Sequence, residues 1–117
     1  MLTKGGIMYE QKEIVLMPFP YSDLTGAKQR PALIISNDKL NKTEDRICCL
    51  ITSNKPKDKG ILIENKHMEN GKIVFESWVK PHRIFTINKK IINKKIGSIN
   101  DDFYDKIVEN IQEFIKR

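Results

Sequence analysis

The sequence predicts a small antiparallel β-barrel or sandwich with one C-terminal helix. Short apolar strands recur along the chain with turn residues between them, and convincing helical periodicity appears only near the end. The length of 117 residues suits one core that buries about two thirds of the unfolded surface. We therefore expect a single domain over residues 1–117, with a flexible N-terminus at 1–9.

The strands are predicted from runs rich in β-branched and other apolar residues. In chain order they are Lys12–Pro18, Pro31–Ser36, Arg46–Thr52, Ile61–Ile63, Lys72–Val79, Ile84–Ile87 and Asn93–Ile96. Asn70-Gly71 predicts a hairpin turn before the run at 72–79. Pro81 is expected to interrupt the strand after Lys80, and the strand resumes at Ile84. Residues 37–41 predict one short helical turn, capped by Asn37 or Asp38.

The C-terminal helix is predicted to begin after Asn100, a good capping residue, and Asp101 and Asp102 suit the positive end of its first turn. Apolar residues then recur at helical spacing, at Phe103, Ile107, Val108, Ile111, Phe114 and Ile115. This face is expected to pack on the sheet.

The chain is basic, with a formal net charge of +6, and its basic residues concentrate between Lys55 and Lys95. This charge suits a polyanionic partner, but ordinary solubilising lysines would give the same balance. Any apolar run falls short of the roughly 20 residues that a membrane helix needs, so we expect a cytoplasmic protein without membrane contact.

The cysteines, Cys48 and Cys49, are neighbours in a predicted strand and should point to opposite faces. We interpret them as buried thiols in a reducing compartment. His67 and His82 lie far from them without the spacing of a zinc site, so no metal or other cofactor is expected.

A polar turn leads through Arg30-Pro31 into an apolar strand, and a later strand ends in Thr52-Ser53-Asn54. Pro31 biases Arg30 toward extended backbone, which would place its guanidinium where loop becomes sheet; otherwise Arg30 is a solvated residue before a strand. The two strand ends could converge.

Cleavage of RNA through its own 2′-hydroxyl needs donors to the phosphate, a base and an acid. Arg30 suits the phosphate, and Thr52 and Ser53 offer further donors. His82 is either the proton-transfer residue or a bystander in a basic loop.

Other residues are candidates for binding. Basic side chains that could follow a nucleic-acid backbone are Lys80, Arg83, Lys89, Lys94 and Lys95. Trp78 could stack a base, contribute to the core or contact a second copy.

Together these segments resemble the PemK/MazF toxin family. The resemblance rests on Glu13–Pro20, Asp23–Gly26, Arg30–Ser36, Ile51–Asn54, Ser77–Pro81, Ile84–Thr86 and Lys95–Gly97, in this order. It implies an SH3-like β-barrel of CcdB/MazF type with a C-terminal helix, and a homodimeric toxin of a type II toxin–antitoxin system.

The resemblance also implies an activity and partners. These are metal-independent, sequence-specific cleavage of single-stranded mRNA to a 2′,3′-cyclic phosphate, inhibition by a cognate antitoxin, and DNA binding as the antitoxin complex. The catalytic positions fall on Arg30, Thr52 and His82, below a mobile loop at 19–29. Substrate binding is assigned to Thr25, Lys28, Ser53, Asn54, Ser77, Lys80 and Arg83.

Three positions depart from the family's pattern. His82 stands where relatives carry an acidic residue, Lys80 stands for a nearby Arg, and Lys12-Glu13 replaces Gly followed by an acid. Two alternatives stay open: a CcdB-like toxin that binds DNA gyrase without catalysis, disfavoured by the end Phe114-Ile115-Lys116-Arg117, and a basic barrel that only binds nucleic acid.

Overall fold

Seven strands form one antiparallel sheet that curls into a half-barrel, with a helix packed against it. The structure, a computed structural model, describes residues 6–18, 28–57 and 59–117. The strands are β1 (Glu13–Pro18), β2 (Gln29–Ile34), β3 (Asp45–Thr52), β4 (Ile61–Ile63), β5 (Met68–Asn70), β6 (Ser77–Asn88) and β7 (Lys94–Ile99). The helices are α1 (Asp38–Asn41) and α2 (Asp101–Ile115). Across the sheet the strand order is β4-β6-β3-β2-β1-β7-β5.

Side chains of the sheet fall into two buried clusters, one on each face. Cys49 belongs to the cluster that packs on α2, and this side is called the helix face. Cys48 belongs to the other cluster, with Ala32 and Met17, and this side is called the far face. Burial raises the pKa of both thiols to about 12, so they stay protonated. The predicted opposite orientation of the two cysteines is confirmed.

Most predicted strands are present with small shifts. β4 has the predicted bounds, whereas β2 begins and ends two residues earlier than the predicted 31–36. Ser36 lies beyond the strand because its hydroxyl donates to Asn41 Oδ1 over 2.6 Å and Asn41 Nδ2 donates to the Ser36 carbonyl over 2.7 Å. These bonds fix α1 against the end of β2, and Asn37 caps α1 as predicted.

The predicted hairpin at Asn70-Gly71 is wrong in its partner strands. Gly71 does adopt a turn conformation, with φ at 84°. However, the strand before it, β5, pairs with β7, and β6 begins only at Ser77. A Cβ atom on Gly97 would lie 2.8 Å from the Asn70 carbonyl oxygen, so the missing side chain permits this close pairing.

Pro81 does not interrupt the strand, contrary to the prediction. β6 continues from Ser77 to Asn88, and three residues, Pro81 to Arg83, are inserted between two consecutive pairs with β3. Lys80 pairs with Leu50 and Ile84 with Cys49. Because an inserted residue needs no ladder partner, the missing N–H of Pro81 is tolerated there.

The helix α2 begins as predicted and ends differently. Asn100 Oδ1 accepts a hydrogen bond from the Phe103 amide over 2.9 Å. Phe103, Ile107 and Ile111 are buried, but Phe114 is 45% exposed and Ile115 is 72% exposed. The last turn of the helix lies beyond the buried cluster, whose contacts with α2 end at Ile111.

Arg46 is fully buried, and its guanidinium binds backbone carbonyls. Its Nε donates to the Tyr9 carbonyl over 2.8 Å, and Nη2 donates to the Met8 carbonyl over 2.6 Å. Nη1 donates to the carbonyls of Thr43 and Asp45, over 2.8 and 2.7 Å. Burial lowers the pKa of Arg46, but a guanidinium titrates so high that it remains charged. This side chain joins residues 8–9 to the start of β3.

We expect Arg46→Met to be strongly destabilising. The change fills much of the same volume but leaves four carbonyl groups without their donor, and even partial loss of these bonds costs about 3 kcal/mol. Urea unfolding followed by circular dichroism measures the change, with the exposed Arg117→Met as control. A loss below about 1 kcal/mol would contradict this role.

Lys12 occupies left-handed backbone, with φ at 76°, a conformation that favours glycine. Its amide donates to the Ile34 carbonyl over 2.9 Å, and its carbonyl accepts from the Ile99 amide over 2.9 Å. Its Nζ forms an ion pair with Asp101 in the first turn of α2.

Lys12→Gly should be more stable than Lys12→Ala by about 1 kcal/mol, because both lose the ion pair but only Gly relieves the backbone. Urea unfolding of the two variants measures the difference. At Lys39, within the helix α1, the same two substitutions should rank in the reverse order. Equal stabilities at position 12 would contradict the strain.

Candidate active site

The two predicted phosphate ligands lie on neighbouring strands. The recorded pairs of β2 and β3 run from Ile34 with Cys48 to Ala32 with Leu50. Continued by two residues, this antiparallel register sets Arg30 opposite Thr52. Residues opposite each other on neighbouring strands share a face and have Cβ atoms about 5 Å apart. Arg30 and Thr52 therefore belong to one cross-strand row.

This row extends across the sheet on the far face. Arg30 pairs with Met17 of β1, Thr52 pairs with Trp78 of β6, and Trp78 pairs with Leu62 of β4. Met17 is buried in the far-face cluster, whereas Arg30, Thr52 and Trp78 are half-buried. The helix α2 packs on the other side, so it does not cover this row.

The Thr52 hydroxyl is oriented by the turn that follows β3. The Asn54 amide donates to Thr52 Oγ1 over 3.1 Å, so the oxygen acts as an acceptor within the turn. The hydroxyl itself donates to the Asn54 carbonyl over 3.5 Å, a long hydrogen bond that its proton can exchange for an acceptor outside the protein. Ser53 and Asn54 are exposed in the same turn.

Lys80 is the third predicted site residue on the far face. It follows Trp78 by two residues in β6 and pairs with Leu50 of β3, before the insertion begins. Its side chain is half-buried. The structure thus brings Lys80 beside the Arg30–Thr52 row, as a cation two residues after Trp78 on the same face of β6.

His82 is not brought to this row. It lies in the inserted segment of β6, and its ring centroid is 6.1 Å from that of Phe114, with 66° between the ring planes. Phe114 is in the last turn of α2, which packs on the helix face. Arg83, the next inserted residue, is exposed.

The remaining predicted site residues are spread out. Ser77 pairs with Ile63, a helix-face residue, and its hydroxyl donates to the Phe75 carbonyl over 2.9 Å. Lys28 is exposed immediately before β2, and Thr25 lies outside the described residues.

Two of the predicted groove residues, Lys89 and Lys95, are paired with acidic side chains. Lys89 lies 3.5 Å from Glu44, next to the end of β3 that is remote from Thr52. Lys95 forms an ion pair with Glu13 over 3.2 Å. Acidic neighbours therefore offset part of their charge, whereas Lys80 lies two residues from Trp78 of the candidate row.

The second histidine, His67, has a structural role. Its ring stacks on Phe103 at 3.9 Å, and its Nδ1 accepts a hydrogen bond from the Glu64 amide over 3.0 Å. Burial lowers the pKa of His67, which favours the neutral ring that this hydrogen bond requires.

A surface depression of about 490 Å³ lies elsewhere, between residues 10–12 and 37–39. It borders the end of β2 that is opposite to Arg30.

Within residues 6–18, 28–57 and 59–117, no three His, Cys, Asp or Glu side chains are grouped to hold a metal ion. The described helices include none that is long and apolar enough to span a membrane.

Two features escaped sequence reasoning. The burial of Arg46 has no local signal, because its four acceptors are backbone carbonyls of residues 8, 9, 43 and 45. The contact of Phe114 with His82 joins two elements far apart in the chain. No local pattern at either residue signals this contact.

The curled sheet with one C-terminal helix is the fold of MazF-like toxins. A family model described as PemK-like, MazF-like toxin of type II toxin–antitoxin system matches residues 10–115. The chain therefore belongs to this toxin family. A search of curated protein sequences gives no match.

Solved structures support the fold. A MazE–MazF structure (Form-III) from Deinococcus radiodurans is 14% identical, with 91% of this chain and 94% of that chain covered and a TM-score of 0.73. The Mycobacterium tuberculosis toxin MazF-mt6 is 16% identical, with coverages of 86% and 93% and a TM-score of 0.68. An endoribonuclease in complex with its cognate antitoxin, from a mycobacterial species, is also 16% identical, covers 89% of each chain and has a TM-score of 0.68. At these identities the likeness shows the fold alone.

Proposed function

We propose that this chain is an endoribonuclease that cleaves single-stranded RNA without a metal ion. The observation that carries the proposal is the cross-strand row, in which the β2–β3 register brings Arg30 and Thr52 to one face. Family membership and the solved structure described as an endoribonuclease in complex with its antitoxin support it.

In the proposed reaction the 2′-oxygen of one nucleotide attacks the adjacent phosphorus. The 2′-hydroxyl gives its proton to a base, and the bond from phosphorus to the 5′-oxygen of the next nucleotide breaks. The departing oxygen takes a proton from an acid, which leaves a 2′,3′-cyclic phosphate and a 5′-hydroxyl. The planar guanidinium of Arg30 would hold two phosphate oxygens, and the Thr52 hydroxyl would donate to one of them. Lys80 would add a positive charge without bidentate geometry.

His82 is the predicted proton-transfer residue. An imidazole exchanges protons near neutral pH, which is the reason for the prediction on His82. Its contact with Phe114 does not favour that role. A pH–rate profile of His82→Gln that keeps both limbs of the wild-type profile would exclude it.

We also propose a homodimer that works in the cytoplasm and is inhibited by an antitoxin. Leu50, Leu62 and Trp78 are half-buried on the same face as the row, so a second copy could cover them. Light scattering of the purified chain tests this assembly, and a monomer would contradict it. The antitoxin is proposed because solved relatives are complexes with one; it should compete with RNA for the row.

Arg30→Ala should lower the rate of RNA cleavage by about 10²- to 10³-fold, because the variant loses its main donor to the developing charge. A long single-stranded RNA is incubated with the protein in excess EDTA, and the fragment ends are mapped. Arg117→Ala, an exposed residue at the C-terminus, is the matched control. Full activity of Arg30→Ala, or no cleavage by the wild-type protein, would contradict the proposal.

Thr52→Val and Thr52→Ser form a matched pair. The Val variant keeps the shape but removes the hydroxyl, so we expect about 10²-fold slower cleavage. The Ser variant keeps the donor and should stay within about tenfold of the wild type. Single-turnover rates on the same RNA measure both, and equal rates for Val and Ser would remove Thr52 from the reaction.

A further inference from the structure

We propose that the C-terminal end of α2 carries a second RNA contact, in which Phe114 stacks an unpaired base and Lys59 binds the adjoining backbone. This flank subsite is defined by Lys59, His82 and Phe114. The inference rests on the proposed function, since its ligand is RNA that extends beyond the Arg30–Thr52 row.

The subsite consists of the exposed ring of Phe114, with the imidazole of His82 and the ammonium of Lys59 beside it. Phe114 is 45% exposed, and the His82 ring meets it in an edge arrangement at 6.1 Å. Lys59 Nζ lies 6.0 Å from the centroid of the Phe114 ring, within reach of a cation–π interaction. His82 thus positions the ring, while nearly half of the Phe114 surface remains open to a ligand.

The chain connects this subsite directly to the candidate active site. Residues 53–57 follow the Thr52–Asn54 hydrogen bond and include exposed Lys55 and Lys57, and Lys59 lies beside Phe114. On the other side, His82 follows Trp78, the partner of Thr52, by four residues. At about 3.3 Å per residue the Cα atoms of Trp78 and His82 are at most about 13 Å apart. The Phe114 ring lies a further 6.1 Å from the His82 ring, so RNA that contacts both the row and the subsite would pass from the far face to the helix face.

The chemistry of the subsite favours a nucleic acid over an apolar protein surface. Single-stranded nucleic acids are bound by cations that follow the phosphates and by aromatic rings that stack the bases. A nucleotide offers both a π face for Phe114 and an anion for Lys59. An apolar partner would instead have to desolvate the ammonium of Lys59, at a cost in free energy.

The test measures binding separately from cleavage. The probe is a 2′-O-methyl oligouridine of about 20 nucleotides, longer than one binding site, which cannot be cleaved because its 2′ oxygens are blocked. Fluorescence anisotropy at several NaCl concentrations gives both the affinity and its salt dependence. Phe114→Ala should weaken binding about tenfold with an unchanged salt slope. Lys59→Gln should lower the slope of log affinity against log salt by about 0.7.

Conservative variants separate stacking from apolar contact. Phe114→Tyr should bind like the wild type, and Phe114→Leu should bind as weakly as Phe114→Ala, because only a ring can stack. Ile115→Ala, the exposed neighbour on the same helix turn, and Lys42→Gln, an exposed lysine after α1, should leave affinity and slope unchanged. Thermal unfolding followed by circular dichroism checks that every variant is folded.

The subsite would be overturned if Phe114→Leu bound RNA as tightly as the wild type. It would also be overturned if Phe114→Ala and Ile115→Ala had equal effects. Either result would leave an apolar docking surface as the explanation of the exposed ring. An unchanged salt slope in Lys59→Gln would remove Lys59 from it. Absence of RNA cleavage by the wild-type protein would refute the proposed nuclease without altering these binding results, so the two failures are distinguishable.

Discussion

The pairing of β3 with β6 is the constraint on which the rest of the molecule depends. β3 is an interior strand of the sheet, and alternate side chains along it supply both buried clusters. The pairing is regular from Thr52 to Leu50 and from Cys49 to Asp45, and the three inserted residues of β6 separate the two stretches. Before the insertion, Trp78 and Lys80 share the face of Thr52. The inserted His82 reaches the end of α2 instead, so one irregularity determines which basic residues can act together.

The parts of the fold that sequence could predict are those with local causes. The Arg30-Pro31 step does lead into a strand, because Pro31 restricts the preceding residue to extended backbone. The helix begins at Asn100 because a side-chain oxygen satisfies an amide three residues later. Strand ends at Pro18 and Thr52 also agree with the structure.

The errors concern choices that only distant residues decide. Asn70-Gly71 is a good turn, but whether the strand beside it pairs with β6 or β7 depends on the close approach that Gly97 permits. Pro81 would end a strand if its N–H were needed for pairing. Whether it is needed depends on the register with β3, in which Pro81 has no partner residue. For the candidate site, the Arg30–Thr52 row could be anticipated from two strand ends. The location of His82 beside Phe114 could not, because it depends on how far the helix extends past the core.

The buried guanidinium of Arg46 has a consequence for how this protein tolerates genetic change. All four of its described acceptors are main-chain oxygens, which every amino acid supplies equally. Replacing the side chains of Met8, Tyr9 or Thr43 would leave those oxygens in place. Inserting or deleting a single residue between Tyr9 and β1, or between α1 and β3, would instead shift them out of register with the guanidinium. Apart from Lys12, whose left-handed backbone favours glycine, the residues of these two short connections should therefore vary more in identity than in number.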